Sequence, residues 1–252
     1  MARKPQFSEA TASLEGLFPE AASRPEEAEP PGHLGHRARM RTRLLTAGPD
    51  ALLDHEMLEM LLFQALPRRD TKPIARALLA RFGSFANAIA ADPRELQAVE
   101  GMGEAGAAAL KTVHGAALRL MRAEVRDQPV LNNWDRLIGY LNAALARESI
   151  EQFRVLFLDS KNRLIADEAQ ARGTVNHTPV YPREVVKRCL ELQATALILV
   201  HNHPSGDPTP SRADLEMTQE VKAAAKVLGI VVHDHLIMGN GRHLSFRREG
   251  LL

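Results

Sequence analysis

The sequence predicts a three-layer α/β domain with a mixed sheet, preceded by a small all-α domain, and three observations predict it. Residues 130–252 alternate short β-rich runs with amphipathic stretches in the order α, β, β, α, β, α, β, β, which calls for helices stacked on a sheet of mixed direction. One run, Ala196-Leu197-Ile198-Leu199-Val200, is wholly apolar, too short for a helix and rich in β-formers, so it reads as a buried strand. Residues 37–125 show helical periodicity, and Pro129, after Arg126-Asp127-Gln128, makes a helix running on into the second part improbable.

The 252 residues carry 45% hydrophobic and 25% charged side chains, an ordinary globular composition, with a net charge of +1. No apolar run approaches the ~20 residues that span a bilayer. A single cysteine, Cys189, excludes a disulfide framework and fits a reducing cytoplasm. Residues 1–36 are rich in Pro, Glu, Ala and Ser, lack a signal-type apolar core, and predict a disordered tail. Then Arg37, Arg39, Arg41 and Arg43 lead into helical periodicity through Met57, Leu58, Met60, Leu61 and Leu62, and on through Ile74, Leu78 and Leu79. Pro67 and Pro73 bracket the turn between these helices, and Gly83 ends the second. Leu96, Val99, Gly101-Met102-Gly103, Ala105, Ala109 and Leu110 resemble a helix-hairpin-helix, whose Gly-x-Gly turn lets backbone N–H groups approach a DNA phosphate. DNA is therefore a candidate partner through residues 37–120, with the arginines and Lys111 adding attraction. Glu100 and Glu104 flank the hairpin with the wrong charge, and a plain packing unit is the alternative.

In the second part Trp134 to Ala146 reads as a helix, Phe153 to Asp159 and Arg163 to Arg172 as strands paired about Ser160-Lys161-Asn162, and Pro182 to Leu192 as a helix that packs Cys189. The strand into His201, a helix from Arg212, and strands near Ile230 to Met238 and His243 to Phe246 complete the order. His201 and His203 project to one side if extension persists through Asn202. Pro204 to Pro210 holds three prolines and a glycine, a rigid loop. Ser211-Arg212-Ala213-Asp214 then opens a helix as a capping-box-like start, with Asp214 in the first turn. Taken singly, Ser211 and Asp214 need only cap a helix, and a histidine at a strand end is ordinarily a packing residue. Taken together, two same-face imidazoles and a carboxylate form a three-ligand zinc set with an open position for water, as in catalytic sites. One cysteine cannot supply the thiolates of a zinc nucleobase deaminase.

The spacing His-x-His, seven residues, Ser, two residues, Asp resembles the JAMM motif of JAB1/MPN-type zinc metalloproteases. HNHPSG with Pro182-Arg183-Glu184-Val185 resembles the RadC branch, and the likeness runs from Gln152 to Leu252 through FLDSKNRLI, Gly173-Thr174, Asp234-His235 and the last serine-bearing strand. Arg37 to Arg122 resemble the family's helical amino-terminal part. The resemblance implies a JAB/MPN-like, cytidine-deaminase-like fold over residues 130–252, Zn²⁺ on His201, His203 and Asp214, and cleavage of a peptide or isopeptide bond in a protein substrate. It also implies a glutamate from a separate element as general base. Glu151, ahead of Phe153 and Val155-Leu156-Phe157-Leu158, occupies that place. Glu184, which would also favour a helix start, and Glu168, on a strand, are the alternatives. Ser211 would add an oxyanion donor to its capping role. A nuclease using the same metal, or a non-catalytic peptide- or DNA-binding module, are the other function classes. His235 reads as a fourth ligand, a partner of Asp214 or a core histidine; Asn202 as securing the loop; His177 as bordering the site or simply solvated.

Overall fold

The computed structural model describes residues 35–126, 128–172 and 180–252. The expected tail up to residue 34, Gly173, Thr174 and His177 lie outside the described residues. In chain order α1 (His36–Ala47), α2 (Asp54–Ala65), α3 (Lys72–Phe82), α4 (Phe85–Ala90), α5 (Pro93–Gln97) and α6 (Gly103–Arg126) make the helical part. Leu58 and Leu62 on α2 and Ile74 and Leu78 on α3, each pair one turn apart, meet Ile89, Leu96, Ala107 and Leu110 in one core. Each such leucine contributes about 1.5–3 kcal/mol by leaving water.

Helix α6 runs unbroken for 24 residues up to the linker at Arg126. Its first turns lie in the helical core, while Val125 in its last turn joins the core beneath the sheet. Pro129 acts only after the helix has ended at Arg126, so the two cores share one rigid arm.

The remaining elements are α7 (Trp134–Leu145), β1 (Gln152–Leu158), β2 (Leu164–Arg172), α8 (Pro182–Glu191), β3 (Ala196–Asn202), α9 (Arg212–Val227), β4 (Val231–Met238) and β5 (His243–Ser245). They form a five-stranded sheet in the order β2-β1-β3-β4-β5, with β3 and β4 parallel and the other neighbours antiparallel. Leu137 and Leu141 of α7 pack on Leu156, Ile198 and Leu236 on one face, and Val185 of α8 and Val221 of α9 pack on Val155, Leu197 and Leu199 on the other. This is the three-layer arrangement, and β3, buried along its whole length, is its middle strand. Among the described residues no helix is long and apolar enough to cross a membrane.

Two register details position the site. Phe153 of β1 pairs with His201, which brings the segment before β1 to the carboxyl end of β3. Between β3 and β4 the ladder slips by one residue at His233, so that Asp234 pairs with Ile198 and His235 with Leu199. A one-residue slip exchanges the two faces of a strand. It turns His235, rather than Asp234, toward the α8 and α9 side, where His201 also points.

Candidate metal centre

Extension does persist past Asn202, since the His203 amide donates to the Met238 carbonyl at 2.9 Å and prolongs the β3–β4 ladder. Both imidazoles therefore lie on one side, with ring centroids 4.9 Å apart and their Nε2 atoms 3.0 Å apart. The loop that follows is wedged against the β4–β5 turn. Gly206 takes a φ of +82°, and a Cβ on Gly239 would come within 2.3 Å of the Gly206 carbonyl oxygen, so side chains are excluded where the two loops touch. The chain then re-enters α9. Ser211 Oγ accepts the Asp214 amide at 3.2 Å, and the Ser211 amide and hydroxyl both donate to Asp214 Oδ2 at 2.7 Å. That reciprocal cap aims the carboxylate back at the strand, with Oδ1 3.3 Å from His201 Nε2 and Oδ2 3.6 Å from His203 Nε2.

The donor set fits zinc. Tetrahedral ligands at the usual bond lengths of ~2.0–2.1 Å sit about 3.3 Å from one another, and the three contacts here are 3.0, 3.3 and 3.6 Å. His203 Nδ1 lies 2.7 Å from the Asp207 carbonyl, which only accepts, so Nδ1 carries the hydrogen and the neutral ring turns a lone pair inward at Nε2. Complete burial pushes His201 down to about 4, with attraction to Asp214 opposing and repulsion from His203 reinforcing the shift. His203 is raised, because the Asp214 carboxylate beside it outweighs its partial burial, and the Asp207 carbonyl and Glu151 add to the effect. Burial alone would raise Asp214, yet His203, His201 and the Ser211 donors hold it below the usual carboxylate range. Groups that prefer to be a neutral imidazole and an ionised carboxylate, converging on one point, suit a divalent cation.

Residues 131–251 match the RadC-like JAB domain, and residues 33–108 match the UPF0758 N-terminal domain. A UPF0758 protein of Rhodobacter capsulatus is 61% identical over 213 residues, covering 84% of this chain and 100% of that relative. This chain belongs to the RadC family. Its domain type is one in which the sheet and flanking helices described above are expected, and the His-His-Asp cluster sits at the carboxyl end of the middle strand.

The RadC-family sheet sorts the three candidate bases by position. Glu151 lies two residues before Phe153, whose pairing with His201 ends the β1–β3 ladder, and its charge helps to raise His203. Glu168 is engaged elsewhere: both its oxygens take donors from Arg188 of α8, at 2.8 and 2.6 Å, and these lower it. Glu184 is exposed and pairs with its neighbour Arg183 at 3.2 Å. Ser211 stands at the rim as cap and carboxylate donor. Cys189 is buried, donates to the Ala194 carbonyl, and its thiol is pushed up to about 11 by burial, so it is packing rather than a nucleophile.

One minor expectation changes, and of the alternatives for His235 the buried, hydrogen-bonded core histidine is the one found. Asn202 does not secure the proline loop; it accepts the Gln152 amide at 2.9 Å and donates to the Glu148 and Ile150 carbonyls at 3.3 and 3.2 Å, clamping the segment that bears Glu151. His235 is neither a ligand nor a side-chain partner of Asp214, because its Nε2 meets His201 Nδ1 at 2.8 Å and its Nδ1 meets Thr218 Oγ1 at 2.6 Å. Thr218 went unnoticed in the sequence. Its signal was present, since it stands four residues after Asp214 on the same helical face.

The helical part engages several cations internally. Lys111 donates to the Ala90 and Ala91 carbonyls at 2.9 and 3.1 Å, and Arg37 donates to the carbonyls of Phe63, Leu66, Pro67 and Arg69 at the end of α2. Arg43 pairs with Glu56, and Arg69 donates to the Gly101 carbonyl of the hairpin at 3.1 Å. Lys111 and Arg37 thereby neutralise the carboxyl ends of α4 and α2 within the fold.

Proposed function

We propose that this RadC-family chain is a zinc-dependent hydrolase of the JAMM type that cleaves a peptide or isopeptide bond in a protein substrate. The observation that carries the reading is the convergence of His201, His203 and Asp214 at zinc-ligand spacing, with His203 and Asp214 still 18% and 15% exposed, so that a substrate has access. Zinc bound there would acidify a water and polarise the scissile carbonyl. His201, His203 and Asp214 would hold the ion. Glu151, whose charge acts on His203, would take the proton of the attacking water and pass it to the leaving amine. Ser211 would turn its hydroxyl from Asp214 Oδ2 to the oxyanion as negative charge builds there.

An amide is favoured over a phosphodiester by the cation inventory. Lys111, Arg37 and Arg43, which would meet a duplex, are engaged with carbonyls and Glu56. Nucleases of the two-metal kind need a second ion some ~3.5–4 Å away, whereas the described residues hold one three-ligand cluster.

Metal analysis of chain purified without chelator tests the reading. The expectation is about one zinc per chain, lost in His203→Ala, and cleavage within a peptide library that disappears in Glu151→Gln while zinc remains. Folded wild-type chain free of zinc, or DNA strand scission with no peptide cleavage, overturns it.

A further inference from the structure

Behind His201 runs a file of polar groups whose direction is set by its last member. Thr218 Oγ1 is 2.5 Å from the Asp214 backbone carbonyl, one turn earlier on α9, and 2.6 Å from His235 Nδ1. A carbonyl accepts and never donates, so the one hydroxyl proton of Thr218 goes to Asp214, and the hydroxyl meets His235 only by accepting. His235 Nδ1 therefore carries a hydrogen. The ring is fully buried with no acid against it, which favours its neutral form, and a neutral ring protonated at Nδ1 has a lone pair at Nε2. His201 Nδ1, 2.8 Å away, must then donate to that lone pair. What remains is His201 Nε2 as a bare lone pair, aimed at the point it shares with His203 and Asp214.

We propose that His235 and Thr218 are positioning residues of the metal centre: they hold His201 in its Nδ1–H tautomer, presenting Nε2 to the ion, and tie that ligand to the backbone of Asp214, the ligand across from it. In the opposite tautomer a hydrogen would occupy the place of the ion, and the ring would have to exchange it before binding. The file also closes a loop. Asp214 approaches the ion through its carboxylate and reaches His201 again through its own carbonyl, Thr218 and His235, so a shift of α9 against β3 strains both ends at once. Phe153, stacked on His201 at 6.1 Å, and Phe246, 4.5 Å from His235, keep water from offering either ring an alternative partner. The proposal rests on the zinc reading for the identity of the ion. The tautomer rests on the hydrogen bonds and on the burial that keeps His235 neutral.

The test uses the full-length chain in two measurements. Nitrogen-15 NMR of the metal-free wild type is expected to show His201 protonated at Nδ1, and Thr218→Val is expected to raise the Nε2–H population. Zinc affinity by chelator competition is expected to fall about 10–100-fold in Thr218→Val, the range for loss of a group that orients a metal-bound histidine. Thr218→Ser keeps the hydroxyl and is expected to restore both the affinity and the tautomer, which a purely structural role of the threonine methyl would not allow. His201 found protonated at Nε2 in the wild type overturns the proposal, and it does so whether or not any variant folds. Folded Thr218→Val that binds zinc as tightly as the wild type, when the wild type does bind zinc, overturns this inference alone. A wild type that binds no zinc overturns the metal reading and this inference with it.

Discussion

Replacing Asn202 with alanine separates the proposed base from the proposed metal ligands. Asn202 stands between His201 and His203, is 1% exposed, and its amide makes all its contacts with the segment around Glu151. The bond to the Gln152 amide is 2.9 Å and the two to the Glu148 and Ile150 carbonyls are 3.3 and 3.2 Å. Counting the short bond at about 1 kcal/mol and each long one at about 0.5 kcal/mol gives a loss of about 2 kcal/mol. In a chain of this size that lowers the melting temperature by about 4–8 °C. The histidines keep their strand pairing to Phe153 and Met238, so zinc content is expected to stay at the wild-type level. Glu151 loses its anchor, and a displacement of the base by about 1 Å is expected to slow peptide hydrolysis about 10²-fold. Calorimetric melting, metal analysis and turnover on the best peptide of a library screen, with Glu151→Gln alongside, make the comparison. Zinc lost in step with turnover, or turnover unchanged despite the fall in melting temperature, would refute the assignment of Asn202 as the clamp on the base.

Ser211→Ala is expected to cost about 1 kcal/mol of stability as a lost cap, a fall of about 2–4 °C in melting, and about 10²–10³-fold in turnover as a lost oxyanion donor; a melting change with full turnover leaves only the cap. Zinc binding is expected to weaken with acid through one group. His203 is raised above 6.5 by Asp214, so the stability its proton lends the metal-free fold is complete below 6.5 and vanishes as pH rises through the folded value, whereas the zinc-bound form requires the proton gone. Affinity should therefore rise about tenfold per pH unit up to that value and then level off, with His201, held near about 4, releasing nothing in this range. Isothermal titration in buffers of differing ionisation heat reads the proton count, and zinc uptake without proton release just above pH 6.5 would contradict it. Tyr140→Phe tests the joint between α6 and the sheet: the phenol accepts from Arg122 at 2.9 Å and donates to buried Asp167, and its own proton is held to about 12 by burial and by that carboxylate. Denaturant unfolding should show a loss of about 1.5–3 kcal/mol, the worth of a hydrogen bond to a charged group. Zinc content should not change, since Tyr140 packs on the α7 face and His201 points to the other.

What could be read along the chain was whatever is encoded within one or two turns or strand lengths. The apolar run at Ala196, the alternation that aligns His201 with His203, the prolines of the loop and the Ser211–Asp214 cap all act over 19 residues, so the strand, the loop, the helix start and the converging His-His-Asp trio were visible together. The helical period over residues 37–125 was equally plain, but periodicity says nothing of where a helix is headed, and α6 carries Val125 into the second core. Long-range pairing decided the rest. Glu151 is separated from His203 by about 50 residues of chain, and the pairing of Phe153 with His201 brings its segment to the end of β3 where its charge acts on His203. His235 rather than Asp234 turns toward His201 because β4 slips by one residue at His233, a choice that alternation cannot signal when both faces of a strand are covered. The carbonyls that Lys111 and Arg37 cap come within their reach only in three dimensions. Local stereochemistry acts between near neighbours and is written residue by residue, whereas register and packing depend on the whole set of surfaces that must be buried at once.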